Sequence, residues 1–300
     1  MINGIINVYK EKGYTSHDVV AKLRGILKQK KIGHTGTLDP DAVGVLPICL
    51  GNGTKLCDLL TDKDKTYEAV LLLGTVTDTQ DTSGTVLETK EVNCTKEEIT
   101  EAILSFVGEY EQLPPMYSAI KVNGKRLYEL AREGLEVERK TRKVCIKAIH
   151  ILNIDEINKE VRLTVECSKG TYIRTLCHDI GEKLSCGGCM KSLERTKVGQ
   201  FLKKDSLTID EIRDLVNNSD IDSKVISVDD MFPDYDKVIV KEDAVRFIYN
   251  GNNFTKEQCL NPVKDIESPF VLVYDCNHVF VAIYQYSTED KIYKPVKMFL

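Results

Sequence analysis

The loop that contains Asp39 has the residue types most suited to chemistry. The stretch from Ile32 to Pro47 reads IGHTGTLDPDAVGVLP and combines glycines, two prolines and two carboxylates. Pro40 holds the backbone of Asp39 away from helical angles, and apolar periodicity is missing from 33 to 41. The pattern predicts a shaped loop that presents one aspartate. A glycine-rich connector with solvated aspartates is the alternative.

Other kinds of site fit this loop less well. Asp39 and Asp41 are a carboxylate pair, but glycosidase pairs flank a bond from opposite sides, about 5 to 9 Å apart, and usually come from different elements. His34 could join the aspartates around a metal, but no ligand spacing supports this. The chain contains no GxxxxGK phosphate loop and no dinucleotide fingerprint. No pattern in this loop therefore supports a metal site or a nucleotide cofactor.

The basic segment from Lys121 to Lys143 is a second functional candidate. It carries eight Lys and Arg residues against four glutamates, in a chain whose formal net charge is −5. Basic side chains interleaved with Leu127 and Tyr128 are typical of an arm that contacts nucleic-acid phosphates. A mobile, solvated hairpin explains the same composition, and both interpretations stay open.

The composition is that of an ordinary globular protein. Of 300 residues, 42% are hydrophobic and 29% are charged. No apolar run is long enough to span a membrane, and the N-terminus lacks the pattern of a signal peptide. We expect a cytoplasmic protein whose ten cysteines are buried thiols. Cys186 and Cys189 form a CxxC, for which a turn with two thiols is favoured over a zinc or redox site.

Local patterns predict the elements that must position these residues. Strands are expected at 3–9, 66–73, 144–154, 161–167 and 192–198, with a polar connection at 74–84. Capping boxes predict helix starts at Thr15/Asp18, Thr95/Glu98 and Thr208/Glu211. Thr171 is expected to open a further helix that carries Arg174 near its start, where free N–H groups favour anions.

The C-terminal region is predicted to form a separate unit. A boundary falls near Met231-Phe232-Pro233, and strands are expected beyond it at 238–240, 270–275 and 278–284, with a helix at 241–249. The predicted fold class is therefore α+β: a mixed, mainly antiparallel sheet with flanking helices in residues 1–233, followed by a small β-rich domain in residues 234–300.

Five motifs together resemble the bacterial tRNA pseudouridine synthase B family, whose members convert the T-loop uridine at position 55 of tRNA to pseudouridine. They are the loop 32–47, Lys65-Thr66-Tyr67, PPMYSA at 114–119, SKGTYIR at 168–174, and Leu193-Glu194-Arg195-Thr196. The resemblance covers at least residues 3–233. It implies a pseudouridine synthase fold in which residues 117–143 form a thumb-like insertion that closes on the T arm. Residues 234–300 resemble, less closely, a PUA domain, which is a small RNA-binding barrel.

The resemblance implies roles for individual residues. Asp39 matches the catalytic aspartate, and Arg174 matches the arginine that keeps this carboxylate charged and oriented. Tyr67 matches the tyrosine that stacks on the target base and assists proton transfer. Because the reaction is an isomerisation, no cofactor is implied. The residues implied in substrate binding are His34, Lys10, Tyr172 and Leu193, and the thumb-like segment adds Arg126 and Lys140.

One position departs from the family pattern. Family sequences usually read D-K-P-x-G near the N-terminus, whereas residues 9–13 here read YKEKG. The lysine, Lys10, is kept, and Glu11 stands where the proline is usual. The shape of this turn, and with it the contact between Lys10 and RNA, is therefore an open point.

Two alternative functions remain to be distinguished. The first is a non-catalytic protein that binds RNA or assists tRNA folding, against which the intact set of Asp39, Tyr67 and Arg174 argues. The second is a guide-RNA-dependent pseudouridine synthase subunit, against which the thumb-like segment argues. We expect the T arm of tRNA as partner, no membrane association and a monomeric protein.

Overall fold

The computed structural model describes residues 1–122, 124–262 and 269–300, in which the chain forms seven α-helices and 18 strands. The helices are α1 (Ser16–Ile26), α2 (Cys57–Thr61), α3 (Lys96–Leu104), α4 (Leu127–Arg132), α5 (Ile173–Lys183), α6 (Ile209–Asn217) and α7 (Val245–Tyr249). The first nine strands are β1 (Gly4–Lys10), β2 (Ile32–His34), β3 (Val43–Leu50), β4 (Lys65–Leu73), β5 (Thr75–Thr77), β6 (Val86–Thr89), β7 (Gly108–Gln112), β8 (Lys121–Val122) and β9 (Lys125–Arg126). The others are β10 (Arg142–Asp155), β11 (Glu160–Cys167), β12 (Gly188–Val198), β13 (Phe201–Leu202), β14 (Asp236–Ile239), β15 (Phe254–Thr255), β16 (Phe270–Tyr274), β17 (Phe280–Ser287) and β18 (Ile292–Met298).

A nine-stranded sheet forms the centre of the described structure. Its strands lie in the order β1-β3-β12-β4-β11-β10-β7, with β2 paired to β3 and β13 paired to β12. Only the β3/β12 pair is parallel within this sheet, with Val43 and Gly44 opposite Glu194 and Arg195. The predicted α+β class with a mixed, mainly antiparallel sheet is confirmed.

Alternation along the strands buries one face of this sheet against helices. In β4, Tyr67, Ala69 and Leu71 point into the core, whereas Glu68 between them is exposed. The same core includes Leu176 of α5 and residues of α3 and β11. This packing fixes α5, which carries Arg174, against the strand that carries Tyr67.

The helix starts follow the local sequence closely. Thr15, Thr95 and Thr208 each accept the predicted capping-box hydrogen bond, so all three predictions are confirmed. The helix predicted to open at Thr171 is α5. It begins at Ile173 instead, because Tyr172, the residue before the helix, keeps extended backbone angles (φ −99°, ψ 108°).

The predicted polar connection at 74–84 is partly wrong. Residues 75–77 form β5, which pairs antiparallel with β6. A three-residue strand is too short to show alternation in the sequence, and its pairing depends on a partner nine or more residues away. The remainder, including Asp81, is a tight turn region that returns to the central sheet through a hydrogen bond from Thr82 N to Met190 O of 3.0 Å.

The basic segment is a folded insertion between two neighbouring strands of the sheet. It leaves after β7 and returns in β10, and these strands pair with each other. Within it, β8 and β9 pair antiparallel, and α4 follows. Arg139 donates to the Pro114 carbonyl at 3.0 Å and ties the end of the insertion to its beginning. The insertion is therefore more than the solvated hairpin that the composition also allowed.

The C-terminal unit is a five-stranded sheet in the order β14-β16-β17-β18-β15. The sequence missed β15 and β18, because a two-residue strand and a strand interrupted by Pro295 carry weak patterns. The predicted helix at 241–249 is a 3-10 turn followed by the shorter α7. The predicted β-rich character is confirmed.

The C-terminal sheet packs directly on the central one. Leu272 and Ile283 are buried in a cluster that also contains Ile5 and Val45 of β1 and β3. The two sheets therefore share apolar surface, which restrains their relative motion. Among the described residues, no helix is both long and apolar enough to cross a bilayer.

Candidate active site

Asp39 stands on the loop between β2 and β3, and the protein fixes this loop on both sides of it. Leu38 is 4% exposed and belongs to the main core, and its N–H donates to Ser16 Oγ at 2.9 Å. The carbonyl of Pro40 accepts from Gly13 N at 2.9 Å. An aspartate held between two such anchors has little freedom to move away, which is what a nucleophile requires.

Arg174 binds the Asp39 carboxylate side-on. Its Nε lies 3.0 Å from Oδ2, and its Nη2 lies 3.4 Å from Oδ1. The Arg174 side chain is only 7% exposed, whereas 41% of the Asp39 side chain remains accessible. The guanidinium thus forms the buried side of the ion pair, and the carboxylate is its accessible side.

The other nitrogens of Arg174 bind protein acceptors from two further segments. Nη1 donates to Thr79 O at 3.2 Å and lies 3.6 Å from Asp81 Oδ2. Nη2 also donates to Tyr117 O at 2.8 Å, at the start of the thumb-like insertion. Because all of its donors are engaged, the direction of the guanidinium is set independently of substrate.

Burial and charge act in opposite directions on Asp39. Burial raises the pKa of its carboxyl above the ordinary value, and the adjacent Arg174 opposes this shift. Asp81 raises the pKa further through like charge, and Lys10 lowers it. The net direction is upward, so Arg174 reduces but does not abolish the effect of desolvation. Arg174 and Asp81 therefore both control how readily Asp39 ionises.

Tyr67 lies in β4 beside the buried Arg195. This arginine belongs to one of the sequence motifs, but no role was predicted for it. Tyr67 is 8% exposed and Arg195 is 2% exposed, and the two face each other in register across β4 and β12. Burial raises the pKa of the Tyr67 phenol, and the positive charge of Arg195 opposes that rise. The predicted stacking tyrosine thus has a cation at its side.

His34 lies at the end of β2, near the Asp39 loop. Its Nδ1 is 3.1 Å from the Gly36 carbonyl, and its ring packs edge-on against His17, with 5.6 Å between ring centroids. Burial lowers the pKa of His34, and the neighbouring His17 adds to this shift. The two rings, with Arg24, line a cavity of about 350 Å³.

Tyr172 and Leu193 are two further predicted site residues, and both are half-buried. Gln112 of β7 holds the backbone of Tyr172 on both sides, because its Oε1 accepts from Tyr172 N at 2.7 Å and its Nε2 donates to Tyr172 O at 3.0 Å. Burial raises the pKa of the Tyr172 phenol, and the neighbouring Ser118 opposes this shift. Leu193 lies opposite Ala69 in register and packs against the main core.

Lys10 is placed differently from a lysine that awaits a phosphate. It is fully buried, and its ammonium donates to the carbonyls of Tyr14 at 2.5 Å, Pro40 at 3.1 Å and Glu11 at 3.2 Å. Burial lowers its pKa to about 8. In this conformation Lys10 supports the Asp39 loop, and its contact with RNA stays a prediction that would require it to leave these carbonyls.

Arg126 and Lys140 lie on the insertion and are exposed. Arg126 Nη1 donates to the hydroxyl of Tyr128 at 2.8 Å. Lys140 makes no ion pair with any of the residues that the structure describes. Both cations are therefore accessible to an external anion.

The cysteines and acidic residues form no evident metal centre. Burial raises the pKa of Cys186 to about 11, with the Cys94 thiol as its neighbour, whereas Cys189 is a neighbour of Cys177. Over residues 1–122, 124–262 and 269–300, no group of three or more His, Cys, Asp or Glu side chains is placed to hold a metal ion.

Three residues of this site were missed by sequence reasoning. Asp81 lies in a polar stretch that also contains Asp78, so nothing in its spacing distinguishes it. Gln112 belongs to none of the motifs or periodic patterns found in the sequence. Arg195 belongs to the quoted LERT motif, and its position two residues after Leu193 on the same strand face could have revealed it.

Comparison with known proteins gives consistent matches along the chain. Residues 24–173 match the N-terminal domain of TruB family pseudouridylate synthases, and residues 174–239 match the C-terminal domain of tRNA pseudouridylate synthase B. A tRNA pseudouridine synthase B of Lachnoclostridium phytofermentans is 56% identical over 310 residues, and one of Clostridium kluyveri is 46% identical over 299 residues. Both alignments cover 100% of each chain.

A solved structure shares the fold. A chain in the crystal structure of a Cbf5–Nop10–Gar1 complex superposes with a TM-score of 0.72 at 25% identity, covering 99% of this chain and 85% of that one. The sequence matches extend through the Asp39 loop, the Tyr67 strand and the start of the Arg174 helix. The chain therefore belongs to the TruB family of pseudouridylate synthases.

Proposed function

We propose that this enzyme isomerises uridine to pseudouridine at position 55 in the T-loop of tRNA, with Asp39 as the nucleophile. Relatives that align over their full length are named tRNA pseudouridine synthase B, which supports this reaction and substrate. The observation that carries the role of Asp39 is its side-on ion pair with Arg174 on an accessible loop.

The reaction requires bond exchange without oxidation. The N1–C1′ bond of uridine breaks, the uracil turns, and a C5–C1′ bond forms; over the whole reaction C5 loses a proton and N1 gains one. Asp39 attacks the target nucleotide in its ionised form, because a protonated carboxyl is a poor nucleophile. Arg174 favours that form against the burial that raises the Asp39 pKa.

Tyr67 supplies the surface on which the displaced uracil stacks. An aromatic ring stacks on any base face, and we assign to the phenol the role of assisting the proton transfer from C5. Tyr172 and Leu193 line the sides of the pocket. Two observations support these roles: Tyr67 and Leu193 pack in the same core as Leu38, the neighbour of Asp39, and the charges of Arg174 and Asp39 act on the Tyr172 phenol.

The remaining predicted residues bind the RNA outside the reacting base. The target uridine must leave its stack, which costs a few kcal/mol, and contacts between phosphates and the exposed Arg126 and Lys140 help to offset this cost. His34 lies beside the displaced nucleotides. The PUA-like sheet in residues 234–300 adds an RNA-binding surface, and the enzyme works as a cytoplasmic monomer without a cofactor.

A guide-RNA-dependent subunit is the alternative that the structural neighbour raises, since that chain is in a complex with two other proteins. The folded insertion between β7 and β10 favours an enzyme that holds tRNA itself. Activity of the purified chain on bare tRNA, without guide RNA or further proteins, separates the two functions. Binding of tRNA without any pseudouridine formation would instead support a non-catalytic protein.

The test compares two aspartates of the same loop on one unmodified tRNA transcript. We expect the wild type to form pseudouridine at position 55, detected by chemical tagging. Asp39→Asn should abolish turnover and retain tRNA binding. Asp41→Asn should stay active, because Asp41 is exposed and lies 3.8 Å from Lys12, away from Arg174. Full activity of Asp39→Asn would refute the assignment of the nucleophile.

A further inference from the structure

Arg195 occupies the strand that separates the nucleophile loop from Tyr67. On one side, its backbone pairs in parallel with Gly44 of β3, immediately after the loop. On the other side, it lies opposite Tyr67 in antiparallel register on β4. In the described central sheet, β12 lies between β3 and β4. It is therefore the strand that joins the Asp39 loop to Tyr67.

The guanidinium of Arg195 closes the Asp39 loop. Its Nε donates to Val45 O at 2.7 Å, and its Nη1 donates to Thr37 O at 3.4 Å. Thr37 precedes Asp39 and Val45 follows it, so the two bonds hold the two arms of the loop together. A shift of either arm would move the Asp39 carboxylate relative to the base.

Stability alone does not explain a cation at this position. Arg195 is 2% exposed, and none of the ion pairs among the described residues includes it. Its Nη2 makes no hydrogen bond there. Burial lowers the pKa of its guanidinium, and the Tyr67 phenol is the group that opposes this shift. Well-packed apolar residues can often replace buried ionic groups without loss of stability.

We propose that Arg195 is a positioning residue, whose guanidinium holds the Asp39 loop and the Tyr67 phenol in one fixed arrangement around the target uracil. This inference rests on the proposed function. The guanidinium itself lies behind the loop and acts through Asp39 and Tyr67.

The experiment compares Arg195→Lys, which keeps the charge but has a single donor centre, with Arg195→Gln, which loses the charge. Arg213→Gln, at an exposed arginine of α6, is the matched control. Single-turnover rates of pseudouridine formation, tRNA dissociation constants and thermal unfolding are measured for each. We expect the rate to fall about 100-fold in Arg195→Gln and about 10-fold in Arg195→Lys, with tRNA affinity unchanged within about 3-fold.

A double-mutant cycle with Tyr67→Phe distinguishes positioning from general support of the fold. If Arg195 acts through Tyr67, Arg195→Gln should cost much less in the Tyr67→Phe background than in the wild type. Independent, multiplicative losses would overturn the proposal, as would an Arg195→Gln rate within about 3-fold of the wild type.

Two further outcomes are separable. Should Arg195→Gln fail to fold, Arg195→Lys decides: a folded variant at full rate overturns the inference, and one with a reduced rate and normal tRNA affinity supports it. A wild type that forms no pseudouridine on any tRNA refutes the proposed function. If the wild type is active and Arg195→Gln reacts at a rate within about 3-fold of it, only this inference is refuted.

Discussion

The guanidinium of Arg174 meets the carboxylate of Asp39 edge to edge, through Nε–Oδ2 at 3.0 Å and Nη2–Oδ1 at 3.4 Å. The same guanidinium lies 3.6 Å from Asp81 Oδ2 through Nη1. One buried cation is therefore shared by two carboxylates, of which only Asp39 is substantially exposed. This sharing makes the ionisation of Asp39 depend on both of its neighbours.

The pH dependence of the reaction should report this arrangement. Burial raises the Asp39 pKa above its ordinary value, and the reaction needs the ionised form. The single-turnover rate should therefore fall as the pH drops through that raised pKa, so that the acid limb lies above the ordinary pKa of 3.8. A rate that stays level down to that value would contradict the upward shift.

Substitution of the two neighbours should move this limb in opposite directions. Arg174 lowers the Asp39 pKa and Asp81 raises it. Arg174→Gln should shift the acid limb to higher pH and reduce the rate at every pH, because the carboxylate also loses its orientation. Asp81→Asn should shift the limb to lower pH. Rate profiles of the three proteins on one tRNA test both directions, and shifts of the same sign would rule out the shared-cation account.

The sequence predicts those features that depend on neighbours along the chain. Thr15, Thr95 and Thr208 begin helices because each can bond the N–H three residues later, and this information is local. The Asp39 loop is likewise visible, since its glycines and Pro40 restrict the backbone directly. The roles of individual site residues came from resemblance to a family and not from these patterns.

Long-range pairing accounts for what the sequence did not reveal. Arg195 approaches Tyr67 only because β12 lies between β3 and β4, which no periodicity encodes. Lysine is a residue type that is usually exposed, yet three carbonyl acceptors make the burial of Lys10 possible. Asp81 reaches Arg174 through a turn whose register is set by Met190, more than a hundred residues later.

The insertion between β7 and β10 should control the salt dependence of tRNA binding. Arg126 and Lys140 are exposed cations, and each phosphate contact releases counterions. Arg126→Ala and Lys140→Ala should each reduce the slope of log affinity against log salt by about 1. Arg213→Ala on α6 serves as the control and should leave the slope unchanged. Unchanged slopes in both thumb variants would remove the insertion from the RNA contacts.

The buried Lys10 should make stability increase with pH. Its pKa is lowered from 10.5 to about 8 by burial, so the unfolded chain binds a proton that the folded chain releases between these values. The unfolding free energy should therefore rise with pH across this window. Well below pH 8, Lys10 is protonated in both states and should add no dependence on pH. In Lys10→Met this part of the slope should disappear, as measured by denaturant unfolding at several pH values. An identical slope in both proteins would show that Lys10 does not titrate there.

The close approach of β12 to β3 can be tested by two glycines with the same backbone angle. Gly44 has φ +109° and Gly108 has φ +111°. A Cβ on Gly44 would lie 2.2 Å from the Arg195 carbonyl oxygen, whereas one on Gly108 would meet nothing within 4 Å. Both alanine variants incur the backbone strain, of about 1–3 kcal/mol. Only Gly44→Ala also separates the strands.

We expect Gly44→Ala to lower the unfolding free energy by clearly more than Gly108→Ala, and to reduce the rate of pseudouridine formation in the protein that remains folded. The physical reason is that Arg195 would be displaced from Val45 and Thr37, so the Asp39 loop would lose its closure. Denaturant unfolding and single-turnover rates measure the two effects. Equal losses in both alanine variants would mean that backbone strain explains everything, and that the contact between Gly44 and Arg195 contributes nothing to the site.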